Sequence, residues 1–116
     1  MIVAIQGSKS FSDYQVVLRA MGVAMSSIRE EDEYFYIYCA GPANVNKMIM
    51  EFVNLSERGL KSRGKKIKMY KVPPSWIEEN LSDIDYFLYL SSPNEKISGL
   101  AAKASNANID VGIFSY

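Results

Sequence analysis

The chain has 116 residues, of which 48% are hydrophobic and 22% are charged, and its 13 basic and 13 acidic residues give a formal net charge of zero. This length is enough for one hydrophobic core, so we expect a single domain spanning residues 1–116. A zero net charge provides no long-range attraction to nucleic acid. The composition therefore favours an ordinary globular domain over a disordered chain.

The sequence contains few of the residues that hold metals or act in catalysis. It has no histidine, which removes the commonest general base and a usual zinc ligand. Its single cysteine, Cys39, cannot form an internal disulfide, and its strand neighbours indicate a small buried hydrophobic side chain. We expect no metal site and no cofactor, and we assign Cys39 no catalytic role.

No apolar run in the sequence reaches the roughly 18 residues needed to span a bilayer. The N-terminus also lacks the basic start and the long apolar centre of a secretion signal. We therefore expect a cytoplasmic protein without a membrane partner.

The first quarter of the chain predicts a strand and a helix. The opening MIVAIQ is apolar on both faces and rich in β-branched residues, which is typical of a fully buried strand. Ser12 is the expected N-cap of a helix over about residues 13–28, with Gln15 at the capping-box position. Apolar side chains recur at helical spacing from Tyr14 to Ile28, which supports this helix.

The middle of the chain repeats this order. The segment EYFYIYCAG alternates tyrosines with apolar side chains and predicts a strand, and an amphipathic helix is expected from Ala43 to about Lys61. The segment KKIKMYKV alternates apolar and basic residues. Lysines along a strand usually protect an exposed sheet edge, so we expect this third strand at an edge.

The last third contains two further strands and two helices. After Pro73 and Pro74, Ser75 is the expected cap of a short helix through about Leu81. The segment IDYFLYL is strongly apolar and is expected to be a central strand, followed by a helix over about residues 97–107 and a final strand, DVGIFSY. This alternation of strands and helices predicts an α/β domain with a mainly parallel sheet.

Ligands of such sheets bind outside the carboxyl ends of the strands, so the loops after the strands are the candidate sites. The first loop contains Gly7, Ser8, Lys9 and Ser10. Glycine permits a sharp turn, the amides and hydroxyls that follow can donate to phosphate oxygens, and Lys9 adds a full charge. The stretch fits neither standard phosphate-loop pattern, and a plain strand-to-helix turn explains these four residues equally well.

The second and third loops have the same character. The second, CAGPANVNK, contains Gly41, Asn44 and Asn46, and asparagine suits a ribose or base edge as well as a backbone cap. The third loop contributes small hydroxyls and a glycine, from Ser91, Ser92, Ser98 and Gly99. Its one acid, Glu95, is expected to be a solvated surface carboxylate. Three loops of this kind favour a phosphate-lined crevice.

The opening IQGSKSFSDYQVVLRAM resembles the start of the SLOG superfamily, in particular its small bacterial and phage members that begin Gly-Ser-Arg-x-Phe-x-Asp. The similarity extends more faintly through Trp76, DIDYFLYL and the closing SGLAAKASNANIDVGIF. It implies a single Rossmann-like domain, with a mainly parallel five-stranded sheet and helices on both faces. It also implies a nucleotide-like ligand at the strand ends. Gly7, Ser8 and Phe11 match the family motif, and Lys9 replaces the usual arginine, which keeps the charge but loses the bidentate fork.

Two family motifs are altered or missing. The family's Gly-Gly-x-x-Gly-Ala-Asp becomes Ala-Gly-Pro-Ala-Asn-Val-Asn over residues 40–46, and the Pro-Gly-Gly-x-Gly-Thr-x-x-Glu sequence of the LOG-type hydrolases is absent. We therefore expect a non-enzymatic or vestigially enzymatic nucleotide-binding module that acts as a sensor, sequestering protein or regulator. The enzymatic alternative is N-glycosidic hydrolysis of a nucleotide, and its candidate acids are Glu95, Glu51 and Asp13.

Two further alternatives depend on the surface. Single-stranded nucleic acid could bind the basic residues 58–71, with Tyr70 as a stacking face. We expect no such site, since an edge strand and a helix end already account for these charges. A protein partner could use Tyr36 and Tyr38 as exposed anchors, and a homo-oligomer is also left open. Trp76 is expected to be a structural residue rather than a ligand platform.

From the sequence we expect Gly7→Val and Lys9→Glu each to leave the fold intact. Each should weaken nucleotide binding by about 1–3 kcal/mol, the scale of a lost hydrogen bond to a charged group.

Overall fold

Strands of six residues alternate with helices in the computed structural model, which describes residues 1–115. The strands are β1 (Ile2–Gly7), β2 (Tyr34–Cys39), β3 (Lys66–Lys71), β4 (Tyr86–Ser91) and β5 (Asp110–Ser115). The helices are α1 (Tyr14–Met25), α2 (Ala43–Ser62), α3 (Pro74–Glu79) and α4 (Gly99–Asn106), and a 3-10 turn covers Leu81–Asp83. Tyr116, the last residue of the expected fifth strand, lies outside the described residues.

The strands form one parallel sheet in the order β3-β2-β1-β4-β5. The expected single Rossmann-like α/β domain is confirmed, as is the edge position of β3. The middle of the sheet is β1, and β4 lies between β1 and β5. The chain moves from β1 outward through β2 to β3 and then returns to the other side of β1, so the strand order reverses between β1 and β4.

Helices cover both faces of the sheet because alternate strand residues point to opposite sides. One core lies under α1 and α2 and includes Val3, Ile5, Phe35 and Leu88 from the strands. The other lies under α3 and α4 and includes Ala4, Phe87 and Tyr89 from the strands. The strands β1 and β4 are thus buried on both faces, as their continuous apolar sequences predict.

A row of aromatic rings extends over β2 and β3, on the face of β2 opposite α1 and α2. The ring of Tyr34 stacks on Tyr36 with centroids 5.4 Å apart, and Tyr38 stacks on Tyr70 at 5.1 Å. Trp76 of α3 stacks on Tyr38 at 4.2 Å, which supports the expected structural role of the tryptophan. Tyr36 and Tyr38 are half-buried in this row, so the expectation that they are exposed anchors is wrong.

The helix caps differ from the expected ones at two positions. Asp13, not Ser12, caps α1, and its carboxylate accepts hydrogen bonds from the amides of Gln15 and Val16. Helix α3 begins after Pro73 without a side-chain cap, so Ser75 is not its N-cap. Asp13 lies one residue closer than Ser12 to the first turn of α1, and its carboxylate adds favourable negative charge at the positive end of the helix dipole.

Within residues 1–115, no helix combines the length and the apolar character needed to cross a bilayer.

The buried Lys65 organises the acidic loop between α1 and β2. Its side chain is 7% exposed, and its ammonium group donates hydrogen bonds to the carbonyls of Arg29, Glu30 and Asp32, at 3.0, 3.2 and 2.5 Å. An ammonium has three donors, so this arrangement satisfies all of them. Lys65 therefore acts as an internal structural cation, unlike its exposed neighbour Lys66.

We predict that Lys65→Met destabilises the fold by about 1–3 kcal/mol, because three loop carbonyls lose a charged hydrogen-bond donor. Urea unfolding followed by circular dichroism measures this change. The matched control is Lys68→Met, in which an exposed lysine of β3 is replaced. Its effect should stay within about 0.5 kcal/mol. Equal losses in the two variants would contradict a structural role for Lys65.

Candidate functional site

The loops after β1, β2 and β4 are joined by direct hydrogen bonds at the carboxyl edge of the sheet. The amide of Gly7 donates to the carbonyl of Gly41 at 3.1 Å, which joins the first two loops. The amide of Ser8 donates to the carbonyl of Leu90 at 2.9 Å, and the amide of Ser92 donates to the hydroxyl of Ser8 at 3.2 Å. The first loop is therefore in contact with both others.

Gly7 is required by packing within the protein. A Cβ atom on Gly7 would lie 2.7 Å from Cγ2 of Val45 in α2 and 2.9 Å from the carbonyl oxygen of Leu90 in β4. The close approach that the sequence suggested is made by this helix and strand, and no ligand is needed to explain it. The expectation that Gly7→Val leaves the fold intact is therefore wrong.

The glycine of the second loop has a different role. Gly41 has a φ of +85°, a left-handed conformation that other residues rarely adopt, and a Cβ atom there would meet open space. The amide of Gly41 donates to the side-chain oxygen of Asn46 at 2.9 Å. Gly41 and Asn46 together define the turn that leads into α2.

Asn44 connects the second loop to the first. Its side-chain amide donates to the carbonyl of Phe11 at 2.6 Å and to that of Ser8 at 3.4 Å. Phe11 itself is 1% exposed and belongs to the core under α1 and α2. The side chains of Asn44 and Phe11 thus stabilise the loop, and that of Phe11 presents no surface to a ligand.

In the third loop, Ser98 links α4 to β1. Its hydroxyl accepts a hydrogen bond from the amide of Leu100 as the N-cap of α4, and it donates to the side-chain oxygen of Gln6 at 2.5 Å. Gly99 is the exposed first residue of α4. Ser91 is buried at the end of β4. Of these predicted site residues, Ser91 thus lies where the loop begins, and Ser98 and Gly99 lie where it ends.

The acidic residue of the third loop is held by the first loop. The carboxylate of Glu95 accepts a hydrogen bond from the amide of Ser10 at 2.9 Å and another from the Ser10 hydroxyl. These two bonds, with smaller contributions from the amide of Lys9 and the hydroxyl of Ser92, lower the pKa of Glu95. The carboxylate is thus at the surface, as expected, but it is held by the first loop instead of being free in solvent.

A buried hydroxyl lies beside this carboxylate. Ser92 is 3% exposed, and hydrogen bonding from its hydroxyl makes a small contribution to the lowered pKa of Glu95. Buried hydroxyls nearly always have a partner, and for Ser92 this partner is the Glu95 carboxylate.

Helix α2 begins beside the second loop without a side-chain cap. Its N-cap residue is Pro42, and the helix continues for 20 residues to Ser62. The uncapped amides of a first turn carry partial positive charge. A depression of about 510 Å³ opens at this helix end and is lined by Ala43, Asn46, Lys47, Met50, Glu51 and Lys71.

A second depression, of about 320 Å³, lies at the amino ends of the strands, where no sequence motif predicts a site. Its lining includes Asp32, Asp85 and Asp110, which come from three separate segments. Arg29 and the N-terminal ammonium of Met1 also line it and lie 3.7 and 4.0 Å from the Asp32 carboxylate, so part of the acidic charge is compensated. Burial, and then the charge of Asp110, raise the pKa of Tyr86 in this depression.

The candidate catalytic groups are either bound or inert. Burial raises the pKa of the Cys39 thiol to about 12, which keeps it protonated and unreactive at neutral pH. Asp13 is occupied as the cap of α1, and Glu95 is held by Ser10. Glu51 is an exposed residue of α2 and lies in the depression at the start of that helix, away from the carboxyl ends of β1 and β4. The arrangement thus favours ligand binding over acid catalysis.

No protein-family model, curated protein or solved structure matches the chain. Membership of the SLOG superfamily therefore stays a prediction, based on the resemblance of the opening residues. The expected absence of a nucleic-acid site in residues 58–71 also stays a prediction. The structure does assign one of the basic residues in this segment, Lys65, to an internal role.

We predict that Gly7→Ala destabilises the fold by about 1–3 kcal/mol, since one methyl group must fit between a helix and a strand that are already in contact. Thermal unfolding followed by calorimetry measures the change. Gly59→Ala is the control, because a Cβ atom at Gly59 in α2 meets nothing within 4 Å. This control should be neutral or slightly stabilising, since alanine is a better helix former than glycine. A stable Gly7→Ala would contradict the packing role.

Proposed function

We propose that the protein binds a nucleotide or a nucleotide-derived phosphate at the carboxyl edge of the sheet and acts as a sensor, sequestering protein or regulator. The observation that carries this proposal is a set of donors from two loops around one anionic group: the amide and hydroxyl of Ser10 bind the carboxylate of Glu95, and the amide of Lys9 and the buried hydroxyl of Ser92 add to them. A phosphate oxygen in the place of this carboxylate would meet the same donors.

The position of Ser92 in the fold supports the same conclusion. Helices α1 and α2, which follow β1 and β2, belong to one core, and α4, which follows β4, belongs to the other. The chain segments after β1 and β4 therefore diverge to opposite faces of the sheet. Crevices that open at such a reversal of strand order are the usual ligand sites of parallel α/β sheets.

The charges and donors beside Ser92 suit an anion. The amide and hydroxyl of Ser10 already hold the carboxylate of Glu95, so the first loop can bind an anionic oxygen. Lys9 is exposed next to this position and adds a positive charge. Hydrogen bonds between such donors and an ionised acceptor are among the strongest in proteins.

Regulatory binding fits these observations better than LOG-type hydrolysis. Hydrolysis of a glycosidic bond needs a carboxyl group placed to transfer a proton at the reacting atoms. The three candidate acids are a helix cap, a carboxylate bound to Ser10 and an exposed residue of α2. The absence of the hydrolase branch's glutamate motif from the sequence agrees with this assignment.

We predict that Ser92→Ala weakens the binding of AMP and of ADP-ribose about tenfold, or about 1.4 kcal/mol, without lowering the stability of the fold. Among the described residues, the Ser92 hydroxyl interacts with the Glu95 carboxylate alone, so its removal should leave both cores intact. Isothermal calorimetry measures binding, and thermal unfolding measures stability. The control Ser105→Ala, at an exposed position of α4, should change neither. A wild-type protein that binds neither nucleotide nor phosphate at millimolar concentration contradicts the proposal and favours a protein-interaction role.

We also predict that Lys9→Glu weakens nucleotide binding by about 1–3 kcal/mol, because a negative charge replaces a positive one beside the phosphate. The fold should be unaffected, since the Lys9 side chain is exposed. Calorimetric titrations at low and high salt test this prediction, and the effect should shrink as salt rises. Lys61→Glu, at the far end of α2, is the control. Equal losses of affinity in both variants would argue against a local role for Lys9.

A further inference from the structure

The anion position of the first loop is filled by a side chain of the protein itself. Glu95 is bound there by the amide and hydroxyl of Ser10, two donors that a phosphate group would also use. The amide of Lys9 and the hydroxyl of Ser92 also act on this carboxylate and help to lower its pKa. A single carboxylate therefore occupies the donors of both the first and the third loop.

We propose that Glu95 is a built-in competitor of the phosphate group, and that the loop between β4 and α4 must swing Glu95 away from Ser10 when a phosphate-bearing ligand binds. This inference rests on the proposed function, since it concerns the same edge of the sheet. It adds a regulatory step: the site is closed by its own acid until the ligand displaces it.

Electrostatics makes the two occupants mutually exclusive. A phosphate monoester carries a charge of about −1.5 to −2 at neutral pH, and a carboxylate within hydrogen-bond distance of it is strongly disfavoured. Without the ligand, the hydrogen bonds to Glu95 lower its pKa and favour the ionised form, so an arriving phosphate meets a charged carboxylate. The acid must therefore move, or the phosphate is excluded.

The loop that holds Glu95 can release it at small structural cost. The ion pairs formed by the described residues do not include Glu95, and no helix or strand covers residues 92–98. The neighbouring Pro93, Asn94, Lys96 and Ile97 are exposed. Movement of Glu95 thus breaks its hydrogen bonds to Ser10, Lys9 and Ser92 and disturbs neither core.

The decisive experiment compares AMP with adenosine, which lacks the phosphate. We expect Glu95→Gln to bind AMP about tenfold more tightly than the wild type, the scale of one hydrogen bond to a charged group, and to bind adenosine unchanged. A neutral amide still fits beside Ser10 but repels no phosphate. Glu95→Ala should show the same gain, which separates loss of the charge from any new contact made by glutamine.

Glu57→Gln is the matched control, because it removes one exposed acid of α2 far from this loop and should leave AMP affinity unchanged. Thermal unfolding confirms that each variant is folded. If wild type and Glu95→Gln bind AMP equally, or Glu95→Gln binds more weakly, the competitor role is wrong while nucleotide binding stands. If neither the wild type nor any folded variant binds AMP, the proposed function and this inference both fail.

Discussion

The close packing around Gly7 is the constraint on which the carboxyl edge of the sheet depends. At this residue β1 lies between Gly41 of the second loop and strand β4, and a Cβ atom there would lie only 2.7 Å from Val45 of α2. The amide of Gly7 is bonded to the second loop and that of Ser8 to the end of β4. One glycine thus allows three chain segments to meet, and the candidate site exists because they do.

This tight meeting also limits what the site can bind. Several polar groups that the sequence offers to a phosphate are used within the protein: the amides of Gly7, Ser8 and Gly41, and the side chains of Asn44 and Asn46. The donors of Ser10, Lys9 and Ser92 are used as well, on the carboxylate of Glu95. The proposed phosphate position is therefore a small set of donors around one carboxylate, rather than the extended phosphate cradle of a glycine-rich loop. A ligand that binds there must compete with Glu95.

The two halves of the sheet are protected from water in different ways. Around β1 and β4, helices bury both faces. Over β2 and β3, on the face away from α1 and α2, stacked tyrosines and Trp76 cover the strands. Aromatic rings bury large apolar areas while their polar edges remain wettable, so the tyrosines, together with Trp76 of the short helix α3, can cover this part of the sheet. The tyrosine-rich composition of β2 thus has a structural explanation, separate from any partner.

Hydrophobic periodicity, with glycine and proline at the segment ends, recurs along the whole chain, and these local signals are enough to predict the α/β fold. The hydrogen bonds of the candidate site come from the tertiary structure, since partners far apart in sequence cannot be inferred from a local pattern. The pairs of Ser10 with Glu95 and of Asn44 with Phe11 are separated by 85 and 33 residues. For the same reason, the local sequence predicts that Gly7 faces a ligand, whereas Gly7 faces Val45. It also predicts that Lys65 is a surface charge, whereas the side chain is buried.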